Sequence, residues 1–172
     1  MNWIFFPRTN EIPKFLVETI SIFEKHEKKI DSTQRNNSKN RLDSDSVLKI
    51  LTPDLLKLGF KVEKSKKKND KVIIPVLFGN SGRRELTFEA DAYHKKYQTV
   101  IEVEAGRALV NYQFLKDIFQ ASMMVETNYL VLAVRNLYNQ TKDFEKISKF
   151  IETMYLTRKI QFDLKGILLI GY

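Results

Sequence analysis

Asp91, Glu102 and Glu104 are acids with the spacing of a cation-binding or acid–base centre. In Leu86-Thr87-Phe88-Glu89-Ala90-Asp91-Ala92 apolar or small side chains alternate with polar ones, and Val100-Ile101-Glu102-Val103-Glu104-Ala105 repeats the two-residue period. That period puts Glu102 and Glu104 on one face of a strand. A hairpin turning at Lys95 and Lys96 sets neighbouring strands about 4.8 Å apart and brings Asp91 diagonally alongside Glu102. Carboxylates gathered this way resist joint ionisation unless they are well solvated or bind a cation. Hard oxygen donors suit Mg2+ or Mn2+. A solvated strand face also carries acids, but here the other face of the second strand is apolar and the small Ala105 and Gly106 follow the acids.

The surrounding elements have to hold these residues. Glu11 to Ile30 carries Ile12, Phe15, Leu16, Ile20 and Phe23 at helical spacing, with Pro13 in the first turn. The polar stretch 31–46, with a single leucine, cannot bury apolar surface and reads as a mobile loop. A second helical pattern runs from Ser46 to a left-handed stop at Gly59, with Pro53 as a point where it can split. Phe60 to Glu63 reads as a short strand, and Lys64 to Lys71 as a basic run. Val72 to Phe78 is a strand whose Pro75 marks an edge or a bulge. Gly79-Asn80-Ser81-Gly82 is a turn leading through Arg83 and Arg84 into the acidic hairpin. A long helix is expected directly after Gly106, with Leu109, Tyr112, Leu115, Phe119 and Met123 as its core stripe. Tyr129 to Val134 is a buried strand, Thr141 to Thr157 a helix, and Gly166 to Gly171 a last buried strand. The fold class is α/β: one domain over residues 1–172, with a three-stranded antiparallel meander, then helix, strand, helix, strand, in a mixed sheet flanked by helices.

Asp91, ten intervening residues, then Glu102-Val103-Glu104, a helix and a buried strand resembles the PD-(D/E)xK nuclease superfamily. Ala90 stands where that pattern has Pro, and Glu104 stands at its lysine position, so the likeness is to the Glu-x-Glu, BamHI-type restriction endonucleases. It covers roughly residues 72–150. The resemblance implies a restriction-endonuclease-like sheet and a Mg2+- or Mn2+-dependent endonuclease that cuts double-stranded DNA, most like a type II restriction enzyme acting as a homodimer. Asp91 and Glu102, with the Val103 carbonyl, would hold the metal, and Glu104 would bind a second metal or act as base. Either a second cation or another group replaces the lysine, with Lys95 and Lys96 as candidates by proximity. Glu89, on the Asp91 face, and an upstream acid such as Asp54 or Glu63 complete the acidic set. The resemblance also brings Arg107 toward base edges. Beside the carboxylates, at the expected helix start, Arg107 and Asn111 face phosphate or guanine. Lys66, Lys67 and Lys68, with Arg83 and Arg84, are the remaining DNA contacts, through the phosphate backbone. A junction-resolving or repair nuclease, and a DNA-binding protein with a degenerate metal site, share these features.

Composition narrows the classes. The formal charge of +8 favours an anionic partner, nucleic acid or membrane surface. The lack of cysteine excludes disulfides and thiolate metal sites, and two separated histidines make no ordinary zinc site, so a metal must be held by oxygen. Trp3-Ile4-Phe5-Phe6 before Pro7 is too short for a secretion signal, and no apolar run is long enough to span a bilayer. A soluble, cytoplasmic protein with no membrane association is expected.

Overall fold

The computed structural model describes residues 1–33, 42–65 and 67–172, with the backbone alone at 68. The elements are β1 (Asn2–Phe6), α1 (Lys14–Ile30), α2 (Ser44–Leu58), β2 (Lys61–Val62), β3 (Val72–Phe78), β4 (Arg84–Ala90), β5 (Ala92–His94), β6 (Thr99–Glu104), α3 (Gln113–Met123), β7 (Tyr129–Val134), α4 (Asp143–Thr157) and β8 (Gly166–Gly171). Six strands form a mixed sheet in the order β1-β8-β7-β6-β5-β2. Its centre, β6, β7 and β8, is parallel, while β1, β5 and β2 join antiparallel.

Strand alternation divides the core into two layers. Ile101, Val103, Val131, Ala133, Leu168 and Ile170 face Phe15, Leu16, Ile20 and Phe23 of α1 and Val47, Leu51 and Leu55 of α2. Val100, Leu130, Leu132, Val134, Ile167 and Leu169 face Phe114, Ile118 and Ala121 of α3 and Phe144, Ile147 and Ile151 of α4. Helices therefore cover both faces of the sheet, which is why the central strands read as continuous apolar runs. Among the described residues no helix is long and apolar enough to cross a membrane.

Several expectations need correction. The three-stranded meander is divided: β3 and β4 form their own two-stranded ribbon, and the chain bends at Asp91 before β5 joins the main sheet. The bulge expected near Pro75 is present as register shifts between Pro75, Leu77 and Phe78. The main sheet takes an edge strand from the N-terminal segment instead, since Ile4, Phe5 and Phe6 pair with Leu169, Leu168 and Ile167. That pairing joins opposite ends of the sequence, so no local pattern reveals it. Pro53 does not split α2, whose helix runs through it to Gly59, left-handed at φ 102° as expected. Of the segment read as mobile, residues 34–41 lie outside the described residues, and Ser44 to Ser46 already belong to α2, capped by Asp43 accepting from the Ser46 N–H at 2.8 Å.

The helix after Gly106 is also shorter than expected. Gly106 has φ 107°, and Asn111 and Tyr112 take the left-handed values 52° and 53°, so regular α-helix starts only at Gln113. Its buried face is Phe114, Asp117, Ile118 and Ala121, whereas Tyr112, Phe119 and Met123 of the expected stripe are exposed. Extending a 3.6-residue period back through a non-helical loop selected the wrong face.

Candidate active site

β6 carries Val100, Glu102 and Glu104 on the face turned to α3, because the strand alternates and Val100 lies in that layer. The β5–β6 pairing sets Ala92 opposite Ile101, so Asp91 falls next to Glu102 on the same face. The Asp91 carboxylate reaches across the strand gap and its Oδ2 accepts the Val103 N–H at 2.8 Å. The bend at Asp91 is held from the other side, where its carbonyl accepts the Glu63 N–H at 2.8 Å. The expected hairpin thus delivers Asp91 beside the Glu-x-Glu strand.

A fourth carboxyl, absent from the expected set, comes from α3. Asp117 is 5% exposed and faces the acids of β6. Burial first, then the Glu104 charge, push its carboxyl up to about 7, and Asp117 Oδ2 has no hydrogen-bond partner. Glu104 is also raised, by burial, against the opposing pull of Lys116 and a hydrogen bond shared with Asp117. Carboxyl meets carboxyl here, which demands a proton or a cation between them. Glu102 keeps some surface, yet burial followed by Asp91, Asp117 and Glu104 pushes it well above the usual carboxylate range.

Lys116 is the cation that acts on all three of Glu102, Glu104 and Asp117, in each case favouring the charged carboxylate. It projects from the first turns of α3 and is exposed. Arg107 adds a smaller pull on Glu104 and is also exposed. Lys95 and Lys96, candidates by their nearness in sequence, sit in the turn before Thr99. The acids are at the far end of that strand, roughly 17 Å along it at strand rise, too far for these lysines to serve. Lys116 was hidden because helical phase, not proximity in sequence, aims it at the acids.

The other expected participants are dispersed. Asp54 ties α2 to α1: Lys25 Nζ donates to it at 2.8 Å and His26 Nε2 lies 2.8 Å from its Oδ2, and Lys25 followed by His26 pulls its carboxyl down to about 2. Glu89 pairs with Lys71 on the ribbon. The Glu63 N–H donates to the Asp91 carbonyl, as already described. Arg83 and Arg84 are exposed at the other end of β4 from Asp91, about 20 Å away at strand rise. Lys67 is exposed, the Lys68 side chain is not described and Lys66 lies outside the described residues. Both Arg107 and Asn111 are exposed; Arg107 lies six residues ahead of α3, whereas Asn111 directly precedes the α3 N-cap, Tyr112.

Behind the acids the ends of the parallel strands converge. Tyr172, following β8, donates from its hydroxyl to the Glu104 carbonyl at 3.3 Å, and burial pushes its pKa up. Arg135, following β7, is buried and donates from Nη2 to the Leu42 carbonyl at 2.5 Å. The Gly106 backbone passes so close to Tyr138 that a Cβ there would collide with the ring. The loop leaving β6 is therefore set by packing.

By donor chemistry the carboxylates suit a hard cation, and Asp117 Oδ2 is a buried oxygen lacking a donor. Among the described residues, no group of three or more His, Cys, Asp or Glu side chains is arranged to hold a metal ion. No protein-family model, curated protein or solved structure matches the chain.

Proposed function

We propose that the chain is a metal-dependent endonuclease acting on DNA phosphodiester bonds, in the manner of a Glu-x-Glu restriction endonuclease and working as a homodimer on double-stranded DNA. One observation carries the reading: Asp91, tied to the Val103 N–H, lies beside Glu102, and the buried Asp117 shares a hydrogen bond with Glu104, with the charge of Lys116 acting on Glu102, Glu104 and Asp117. Perturbed acids at one locus are a signature of functional sites. The formal charge of +8 supports a polyanionic substrate.

Asp91 and Glu102, with the Val103 carbonyl, would hold Mg2+ or Mn2+, which supplies charge stabilisation at the phosphate and a more acidic water. The Asp91–Val103 hydrogen bond orients that carboxylate. Glu104 accepts the proton of the attacking water, and burial raises its proton affinity for that role. Lys116 takes the part of the missing motif lysine, placing a positive charge beside the nucleophile and the non-bridging phosphate oxygens. Exposed Arg107 contacts the adjoining phosphate or base, and Arg83, Arg84 and the 64–71 lysines bind the backbone farther out.

The test is incubation of supercoiled plasmid with Mg2+, Mn2+ or EDTA. Metal-dependent linear products with one defined end sequence support a restriction enzyme, and cutting confined to branched DNA supports a junction-resolving or repair enzyme. The lack of a finished metal shell favours a second reading, a DNA-binding protein with a degenerate site. Sequence-selective binding without cutting in either metal would establish that reading and overturn the first.

A further inference from the structure

We propose that the β3–β4 ribbon enters the major groove of duplex DNA and reads thymine methyl groups through Leu77, Phe78 and Leu86. The inference rests on the DNA-binding part of the nuclease reading and adds a base contact that selects sequence. The root of the ribbon is fixed in the body of the protein. Val72, Ile74 and Ala90 are buried in the core layer that also holds Phe114 and Ile118 of α3. The Pro75 carbonyl accepts the Val125 N–H at 2.9 Å, just past the end of α3. β4 then runs directly into Asp91, whose carboxylate is tied to β6 through the Val103 N–H. The root therefore packs on the sheet face that carries Glu102 and Glu104.

Toward the tip this apolar row loses its cover. Alternation keeps Ala90, Phe88 and Leu86 on one face of β4, buried at Ala90, half-buried at Phe88 and 40% exposed at Leu86. Leu77, paired with Leu86, is 55% exposed, and Phe78, paired with Arg84, is 53% exposed. Among the described strands β3 and β4 pair only with each other, so nothing in the sheet shields these three side chains.

Charge and dimensions select DNA as the partner. At the tip two exposed arginines, Arg83 and Arg84, outweigh one acid, Glu85, while Glu89 nearer the root is neutralised by Lys71. A polyanion is attracted to such a tip, and a second copy of it is repelled. Two strands about 4.8 Å apart, with their side chains, fit the major groove, which is about 12 Å wide, and overfill the minor groove of about 6 Å. β4 spans Arg84 to Ala90, so the tip lies about 20 Å from Asp91 at strand rise, or about six base steps along a duplex. A phosphate held at the acids thus leaves the tip within one helical turn of the cut. Arg83 and Arg84 hold phosphates along the groove, and the apolar side chains lie against base edges. In the major groove the thymine methyl is the apolar group that base edges offer, so the ribbon favours A·T pairs at the positions it touches.

The experiment selects bound duplexes in Ca2+ from a pool with a randomised centre, then compares the enriched duplex with the same duplex carrying uracil in place of thymine. Uracil pairs identically and lacks only the methyl. By fluorescence anisotropy, each contacted methyl removed should weaken wild-type binding about fourfold. Leu77→Ala, Phe78→Ala and Leu86→Ala should each move the thymine-to-uracil affinity ratio toward one, with little change for the uracil duplex. Circular dichroism checks that each variant keeps the fold, and the three are read separately. No enrichment from the pool, equal wild-type affinity for thymine and uracil duplexes, or a ratio unaltered in the folded variants overturns groove reading by the ribbon. Metal-dependent plasmid cleavage, measured alongside, then leaves the nuclease reading standing. Absence of DNA binding in any form overturns both. Conversion of a dimer to a monomer by Leu77→Ala or Phe78→Ala, with the ratio intact, assigns the ribbon to self-association and also overturns the proposal.

Discussion

Asp91 Oδ2 accepts the Val103 backbone N–H at 2.8 Å, so an acid on the strand-bending residue is tied to the strand between the two glutamates. One hydrogen bond thus orients a carboxylate and fixes the junction of β4 with β5. The two roles separate by substitution. Asp91→Asn keeps an acceptor and should retain the fold while losing cation binding and cleavage. Asp91→Ala should also lose about 1 kcal/mol of stability by leaving the Val103 N–H unsatisfied. Thermal unfolding and Mn2+ calorimetry of both variants check this. Unchanged Mn2+ binding in Asp91→Asn removes Asp91 from the metal set.

Asp117 makes stability depend on pH. Its carboxyl is raised from 3.8 to about 7 in the folded protein, so folding favours the protonated form. The unfolded chain gives up that proton near its ordinary pKa, and stability falls as pH rises from about 4 to about 7. The metal-free protein should therefore melt higher at pH 5 than at pH 8, and Asp117→Asn should flatten the difference and raise stability at pH 8 by on the order of 1–3 kcal/mol. Melting curves across that range, with EDTA present, provide the test.

Lys116 lowers the proton affinity of Glu102, Glu104 and Asp117. Its removal should raise those affinities further, moving the acidic limb of the pH–rate profile to higher pH. Lys116→Ala is expected to cut at least about 100-fold more slowly, with Lys116→Arg recovering part of the rate. A pH profile unmoved by Lys116→Ala would leave the lysine role to another group.

The peripheral cations should act through salt. Replacing Lys66, Lys67 and Lys68 by Ala is expected to weaken binding to all sequences alike and to reduce the slope of log affinity against log salt by up to about 0.9 for each phosphate no longer neutralised. Arg107→Ala tests discrimination instead: a bidentate base contact is worth about 1–3 kcal/mol between right and wrong base. Cleavage of a randomised-site library reads this out. A slower variant with an unaltered sequence preference makes Arg107 a phosphate contact.

Much of the scaffold could be read locally. Continuous apolar runs marked β7 and β8, Gly59 marked the end of α2, and two-residue alternation placed Glu102 and Glu104 together, because strand and helix periods are properties of short segments. The same locality made Asp91 legible, since a tight turn leaves the facing strand little freedom of register. Tertiary structure decided the rest. Asp117 and Lys116 stood outside the expected core stripe, and it was packing that set the phase of α3, burying Phe114 and Ile118 and carrying Asp117 inward with them. β1 needed β8 from the other end of the chain, and the ribbon separated from the sheet at Asp91 where the backbone turns into β5. Local periodicity determines which residues alternate on an element. Only the packing of elements against one another decides which acids share a site, because burial and the charges of distant neighbours set their protonation.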